Sequence, residues 1–297
     1  MARAVYPAML TPLTDGGEAL DEGVLGEEIA FLFDHGADGV FIAGSTGEGV
    51  NLEDEERRRL LRASKRAVGD RGRLLCHVGA QTTRRTVDLA RDAHQVGVDG
   101  VAVIPPPYYP LDDQELADHL IAAAEACTPT PFYIYCFAQR SGYRVPVAVV
   151  ERVRDRTSNL AGLKVSDAPW PAIEGYFDLE VPVFVGNEPL IAEAAAKSSF
   201  AGSVSAVAGA FPEAIRALVD DPTPDRAAAV GRLRAALTKT NSLPAMGKRV
   251  LASRGVPIRP DVRRPARAAT AEEAEAALAR IAEPLGEATI GLPMLGA

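Results

Sequence analysis

The sequence has no run of about 18 or more apolar residues, so no stretch of it reads as a membrane-spanning helix. Its opening, from Met1 to Pro7, runs into a strand-like segment without the apolar core of a secretory signal. Cysteine is scarce. Cys76, Cys127 and Cys136 are odd in number and far apart, which argues against a disulfide framework and for reduced thiols in the cytoplasm. Positive charge is in deficit: 32 Lys and Arg face 40 Asp and Glu, and the net charge of −8 argues against nonspecific nucleic-acid binding. The first strand is not followed by Gly-x-Gly-x-x-Gly, which disfavours a dinucleotide-binding sheet. The histidines, His35, His77, His94 and His119, are scattered without His-x-His or His-Glu-x-x-His spacing, so no metal is expected.

What the chain does have is alternation. Short apolar runs read as strands at Val5–Pro12, Gly39–Ala43, Leu74–Val78, Gly100–Ile104, Pro131–Tyr135, Leu160–Lys164, Val181–Val185 and Gly202–Ser205. Helical segments separate them, among them Glu53–Arg66, Thr83–Gln95, Pro146–Arg154, Ile191–Lys197 and Glu213–Val219. A Gly-x-Asp-Gly-Val pattern occurs at Gly36–Val40 and again at Gly97–Val101, 61 positions on, each time between a helix and a strand. Two βα units of the usual size fit that interval. Eight strands alternating with eight helices favour a closed (β/α)8 barrel, a TIM barrel, over an open sheet. Beyond about residue 222 the strands stop. Three amphipathic segments, Arg226–Thr238, Ala245–Ser253 and Ala271–Ile281, predict a C-terminal helical subdomain over residues 223–297, packed on a catalytic barrel of residues 1–222. The basic cluster Arg259, Arg263, Arg264 and Arg267 lies among prolines and reads as a solvated loop.

One lysine sits near the end of a buried strand. Lys164 follows Leu160, Ala161, Gly162 and Leu163 and precedes Val165 and a Ser-Asp-Ala-Pro break. Burial disfavours an ammonium, lowers its pKa and frees a nucleophilic amine, as a Schiff-base lysine requires. The plain alternative is an edge lysine whose stem packs while its head reaches water. In a barrel the active site forms at the C-terminal ends of the strands. Those ends collect Ser45 and Thr46, Tyr108 and Tyr109, Tyr135, Lys164, Gly186 with Glu188, and Val204. A turn of small and hydroxyl residues, Gly44 to Gly49, can hold a carboxylate with backbone N–H groups and hydroxyls. The convergence of these residues on one mouth favours the functional reading of Lys164.

The Gly44-Ser45-Thr46-Gly47-Glu48 turn, the Tyr135…Arg140-Ser141-Gly142 segment and Gly162-Leu163-Lys164 resemble the dihydrodipicolinate synthase / N-acetylneuraminate lyase family of pyruvate-dependent class I aldolases. The similarity runs from Ala8–Pro12 to Arg264-Pro265. It implies that Lys164 forms an imine with pyruvate or a 2-oxo acid, so that the covalent imine takes the place of a cofactor. It implies further that Ser45 and Thr46 hold the carboxylate and that Tyr135 carries protons. A phenol suits that task when it is positioned and its pKa is lowered, for instance by hydroxyl partners such as Ser45. Tyr109 matches a tyrosine that in many members reaches a neighbouring subunit's site, implying a homo-oligomer, a dimer of dimers. Gly186, Glu188 and Val204 complete the substrate-binding set.

Departures from the family pattern narrow the substrate. Cys136-Phe137-Ala138 stands where the family has Asn-x-Pro, which weighs against ordinary dihydrodipicolinate synthase activity. Arg140 matches an arginine that binds the second substrate's carboxylate in the synthases. Glu188 matches the first of two consecutive acids of the sialate lyases, but Pro189 replaces the second and Ala206 replaces a serine. The expectation is a Schiff-base lyase making or breaking a C–C bond beside a pyruvate unit in a short 2-oxo acid, such as a 2-oxo-3-deoxy sugar acid, with an aldehyde as the other partner. The alternatives are dihydrodipicolinate synthase, condensing pyruvate with aspartate semialdehyde, and a barrel that binds a 2-oxo acid without turnover.

Overall fold

The structure, a computed structural model, describes residues 3–239 and 242–291, so the extreme ends of the two expected domains lie outside the described residues. Eight parallel strands form one sheet: β1 (Ala4–Pro7), β2 (Gly39–Ile42), β3 (Arg73–His77), β4 (Gly100–Val103), β5 (Phe132–Cys136), β6 (Leu160–Val165), β7 (Val183–Val185) and β8 (Phe200–Ser205). From β2 to β8 each strand pairs with the next, and β1 pairs with β8. Beyond the end of β1 a single bridge between Ala8 and Phe41, with Met9 N–H donating to Phe41 O at 3.0 Å, closes the ring against β2. The result is the expected (β/α)8 barrel.

Period-two alternation sorts the side chains. On β5, Phe132, Ile134 and Cys136 face the helices, while Tyr133 and Tyr135 face the barrel axis. On β6, Leu163 and Val165 likewise pack outward, which turns Lys164 inward. Tyr6, Phe41, Leu75, Ala102, Tyr133 and Phe184 fill the interior below the mouth, so the barrel is a packed core and not a pore.

The repeated Gly-x-Asp-Gly-Val has a structural explanation. Asp38 Oδ2 accepts from Val5 N at 2.7 Å and Asp99 Oδ2 from Leu74 N at 2.9 Å. Each aspartate satisfies an N–H at or near the start of another strand, at the end of the barrel away from the mouth.

The helices are less regular than the strands. α1 (Glu22–Asp34), α2 (Asp54–Val68), α3 (Thr83–Val96), α4 (Asp113–Ala126) and α5 (Val147–Arg156) follow the first five strands. After β6, however, only 3₁₀ turns occur, at Trp170–Ala172 and Glu174–Asp178, and after β7 a 3₁₀ turn, Glu188–Leu190, and a one-turn helix, α6 (Ile191–Ala194). Pro169, Pro171 and Gly175 leave no room for a longer helix after β6. α7 (Pro212–Asp220) follows β8. α8 (Pro224–Thr238), α9 (Leu243–Ser253) and α10 (Ala271–Ala288) are the C-terminal helices, and α10 packs along α8. No helix among the described residues is long and apolar enough to cross a membrane.

The basic cluster is not uniformly solvated. Arg259, Arg264 and Arg267 are exposed, but Arg263 packs inward, its Nη2 2.6 Å from Glu56 Oε1 and its backbone N–H 2.7 Å from Glu48 Oε2. Its guanidinium is drawn inward by part-buried Glu56 and its backbone by buried Glu48, a pairing that composition does not reveal.

Candidate active site

Lys164 stands opposite Tyr135 in the β5–β6 register and opposite Phe184 across β7. Its side chain is only 5% exposed. The ammonium nitrogen lies 3.9 Å from the centroids of both the Phe41 and Tyr135 rings. Aromatic faces attract a cation, but they replace water poorly. Burial therefore dominates and pulls the Lys164 pKa down to about 7, against a smaller opposing pull from the Glu188 carboxylate.

A cavity of about 350 Å³ opens above this amine. Ser45, Thr46, Tyr135, Lys164, Gly186 and Val204 all line it, so the structure gathers six of the nine candidate residues into one wall. Arg140, exposed on the one-turn helix Ala138–Ser141, lines it as well. A side chain at Gly186 would place its Cβ 2.3 Å from Ser166 Oγ, so the glycine leaves space that any other residue would close. Tyr135 Oη is 3.5 Å from Ser45 Oγ. Burial raises the Tyr135 pKa despite the lowering contributions of Ser45, Ser166 and Arg140. The expectation of a lowered phenol pKa is thus reversed: at neutral pH Tyr135 holds its proton and begins as a donor.

The remaining two candidates lie elsewhere. Tyr109 is 70% exposed and packs edge-on against Tyr108, outside the cavity of its own chain. Glu188 is fully buried behind the wall, where Oε1 accepts from Ser205 Oγ at 2.7 Å and Oε2 from Arg234 at 2.5 Å. It does not line the cavity.

The turn after β2 is held from several sides. Ala43 and Glu48 both adopt left-handed backbone angles (φ 55° and 57°), which non-glycine residues keep only where surroundings impose them. The turn leads into a 3₁₀ turn, Gly49–Asn51, rather than straight into a helix; α2 starts at Asp54. Thr11 Oγ1 donates to Gly47 O at 2.5 Å. Buried His77 supports the other flank. Burial lowers its pKa to about 3, so it is neutral, donating from Nδ1 to Ala43 O at 3.0 Å and accepting at Nε2 from Ile104 N. From below, Glu48 receives Lys248 Nζ at 2.8 Å, and Lys248 also donates to Asp261 O. Nearby Glu28 is fully buried, and burial raises its pKa to about 8.

Several residues of the site lie outside the candidates that the sequence offers. Phe137 stacks near Tyr135 (centroids 6.1 Å apart) and lies under the Arg140 guanidinium. Asp167 Oδ1 accepts from Ala138 N at 2.6 Å and so anchors the turn that carries Arg140. Arg234, Thr238 and Ser242 reach the cavity from the C-terminal helices, for which the sequence predicts a subdomain packed on the barrel and no place in the site.

The fold and its furnished mouth define a (β/α)8-barrel enzyme. The dihydrodipicolinate synthetase family matches residues 1–284. The 4-hydroxy-tetrahydrodipicolinate synthase of Moorella thermoacetica is 32% identical over 290 residues, covering 94% of this chain and 97% of that protein. The chain belongs to the dihydrodipicolinate synthetase family and is a lyase of that family. In fold it is similar to the wild-type sialic acid aldolase of Ruminococcus gnavus, with a TM-score of 0.87, 22% identity and coverage of 96% and 97% of the two chains. It is similar also to YagE, a prophage protein of E. coli K12 solved in complex with pyruvate, with a TM-score of 0.88, 22% identity and coverage of 96% and 99%.

Proposed function

We propose that the protein is a Schiff-base lyase in which Lys164 condenses with the ketone of pyruvate or a short 2-oxo acid. The observation that carries this reading is a buried amine with a pKa near 7, facing a cavity beside a phenol and a hydroxyl-rich turn. The free amine attacks the ketone carbon while Ser45, Thr46 and the adjacent backbone N–H groups hold the carboxylate. Tyr135 gives its proton to the departing hydroxide of the carbinolamine, which leaves as water. The phenolate so formed stands opposite the new iminium, whose charge stabilises it. In the cleavage direction the phenolate then takes the proton of the C4 hydroxyl as the C3–C4 bond breaks. The electron pair of that bond flows into the iminium and is stored as a neutral enamine, and an aldehyde departs. The covalent imine takes the place of a cofactor.

A 2-oxo-3-deoxy sugar acid, or a relative with a second carboxylate, is the substrate this reading favours. Phe137 stands beside Tyr135 in the cavity wall, and the exposed Arg140 lies over its ring. The second reading, condensation of pyruvate with aspartate semialdehyde, draws support from the name of the Moorella relative. In both readings the enzyme works in the cytoplasm as a homo-oligomer, with the exposed Tyr108–Tyr109 pair available to a second copy.

Borohydride reduction with pyruvate tests the covalent step. The three-carbon adduct should appear on Lys164 in peptide mass spectra and vanish in Lys164→Ala. Labelling of another lysine, or of none, would sink the Schiff-base assignment.

A further inference from the structure

The cavity above Lys164 is cationic in an acidic protein. Its lining includes two guanidinium cations, Arg140 and Arg234, beside the Lys164 amine, and no Asp or Glu. Arg140 lies just beyond β5, whereas Arg234 comes from α8. The two arginines therefore reach one space from separate parts of the fold.

Arg234 is held in place. Its Nη1 donates to Glu188 Oε2 at 2.5 Å, and Glu188 is fully buried while the Arg234 side chain keeps 33% of its surface. Glu188 is itself fixed, since Oε1 accepts from Ser205 Oγ at 2.7 Å and from Val207 N at 3.2 Å. Among the described residues, the Nε and Nη2 groups of Arg234 donate to no protein atom. A guanidinium pinned at one edge keeps its other N–H donors in a set plane, suited to a planar anion. Holding it beforehand reduces the side-chain entropy lost on binding.

We propose that Arg234, oriented by Glu188, is a specificity-determining residue. With Arg140 it takes the distal carboxylate of a dicarboxylic 2-oxo acid whose first carboxylate lies at the Ser45–Thr46 turn. The assignment rests on the reading of that turn as the anchor of the 2-oxo acid. Glu188 is a positioning residue that does not touch the substrate. Its negative charge offsets that of Arg234, so long-range attraction of the anion falls to Arg140 and direction to Arg234.

Calorimetric binding of 2-oxoglutarate and 2-oxopentanoate, which differ in a terminal carboxylate against a methyl group, tests this. Wild type should prefer 2-oxoglutarate by about tenfold or more, the range of a charge-assisted bidentate pair. Arg234→Gln should remove most of that preference. Because that variant strands a buried carboxylate, the double variant Arg234→Gln/Glu188→Gln, which removes both charges, should show the same loss. Glu188→Gln alone should lose part of the preference, since Arg234 stays charged but is held less firmly. The borohydride adduct reports separately on the imine. A preference without an adduct keeps the role of Arg234 and overturns the lyase reading. No preference in wild type, or a preference untouched in the double variant, overturns the role of Arg234.

Discussion

Lys248 and Glu48 form a buried ion pair, 2.8 Å from Nζ to Oε1, that joins α9 to the turn carrying Ser45 and Thr46. The C-terminal helices therefore support the floor of the site as well as its rim. Removing one member of such a pair leaves an uncompensated buried charge. Lys248→Met should destabilise the protein by about 3–5 kcal/mol in urea unfolding. Lys248→Met combined with Glu48→Gln should recover part of that loss. In the double variant the apparent KM for pyruvate should still rise, because the turn has lost its tether. An unchanged KM would detach the pair from the site.

The Lys164 amine sets a pH profile. Its pKa falls from 10.5 to about 7, so the reactive free amine accumulates as pH rises and is essentially complete above pH 8. The rate of borohydride-trapped imine formation with pyruvate should climb about tenfold per pH unit below pH 6 and level off above about 8. Glu188 pulls this pKa upward, so Glu188→Gln should move the midpoint to lower pH. A midpoint near 10 would show that Lys164 is solvated.

Tyr135 begins protonated because burial raises its pKa. Tyr135→Phe keeps the ring against Lys164 and removes only the hydroxyl. Turnover should fall by roughly 10²–10⁴, the range of a positioned acid–base group. Thermal stability should change little, since the phenol's hydrogen bond to Ser45 Oγ is long, 3.5 Å. Near wild-type turnover would assign the proton to water or to Ser45.

Arg140 separates the substrate readings. With aspartate semialdehyde, an uncharged sugar aldehyde and a dicarboxylic 2-oxo acid compared side by side, Arg140→Ala should weaken only substrates with a carboxylate at that end. The expected rise in apparent KM corresponds to about 1.5–3 kcal/mol. A loss confined to aspartate semialdehyde promotes the synthase reading, and a loss confined to the dicarboxylic acid promotes the sugar-acid reading. An equal, small effect on all three fits an exposed charge that contributes at most about 1 kcal/mol and removes both.

The barrel, the lysine and most of the mouth were legible in the sequence because their signals are local. Alternating strands and helices imply a parallel sheet, and a strand's period of two, given a buried outer face at Leu163 and Val165, places Lys164 inside. The hydroxyl turn follows β2 directly, and strand ends in a barrel meet at one mouth whatever their distance along the chain. Only the tertiary structure decided the rest. The sign of the Tyr135 shift depends on how completely the ring is buried, which balances solvent loss against hydroxyl partners and has no sequence signature. Glu188 reads as a substrate contact by its place after β7, yet Arg234, 46 positions away on another element, turns it into a buried support. Lys248 and Glu48 lie 200 positions apart and meet because α9 folds back under the first turns of the barrel. Backbone periodicity is written in neighbouring residues, whereas charge pairing is set by which surfaces the completed fold brings together.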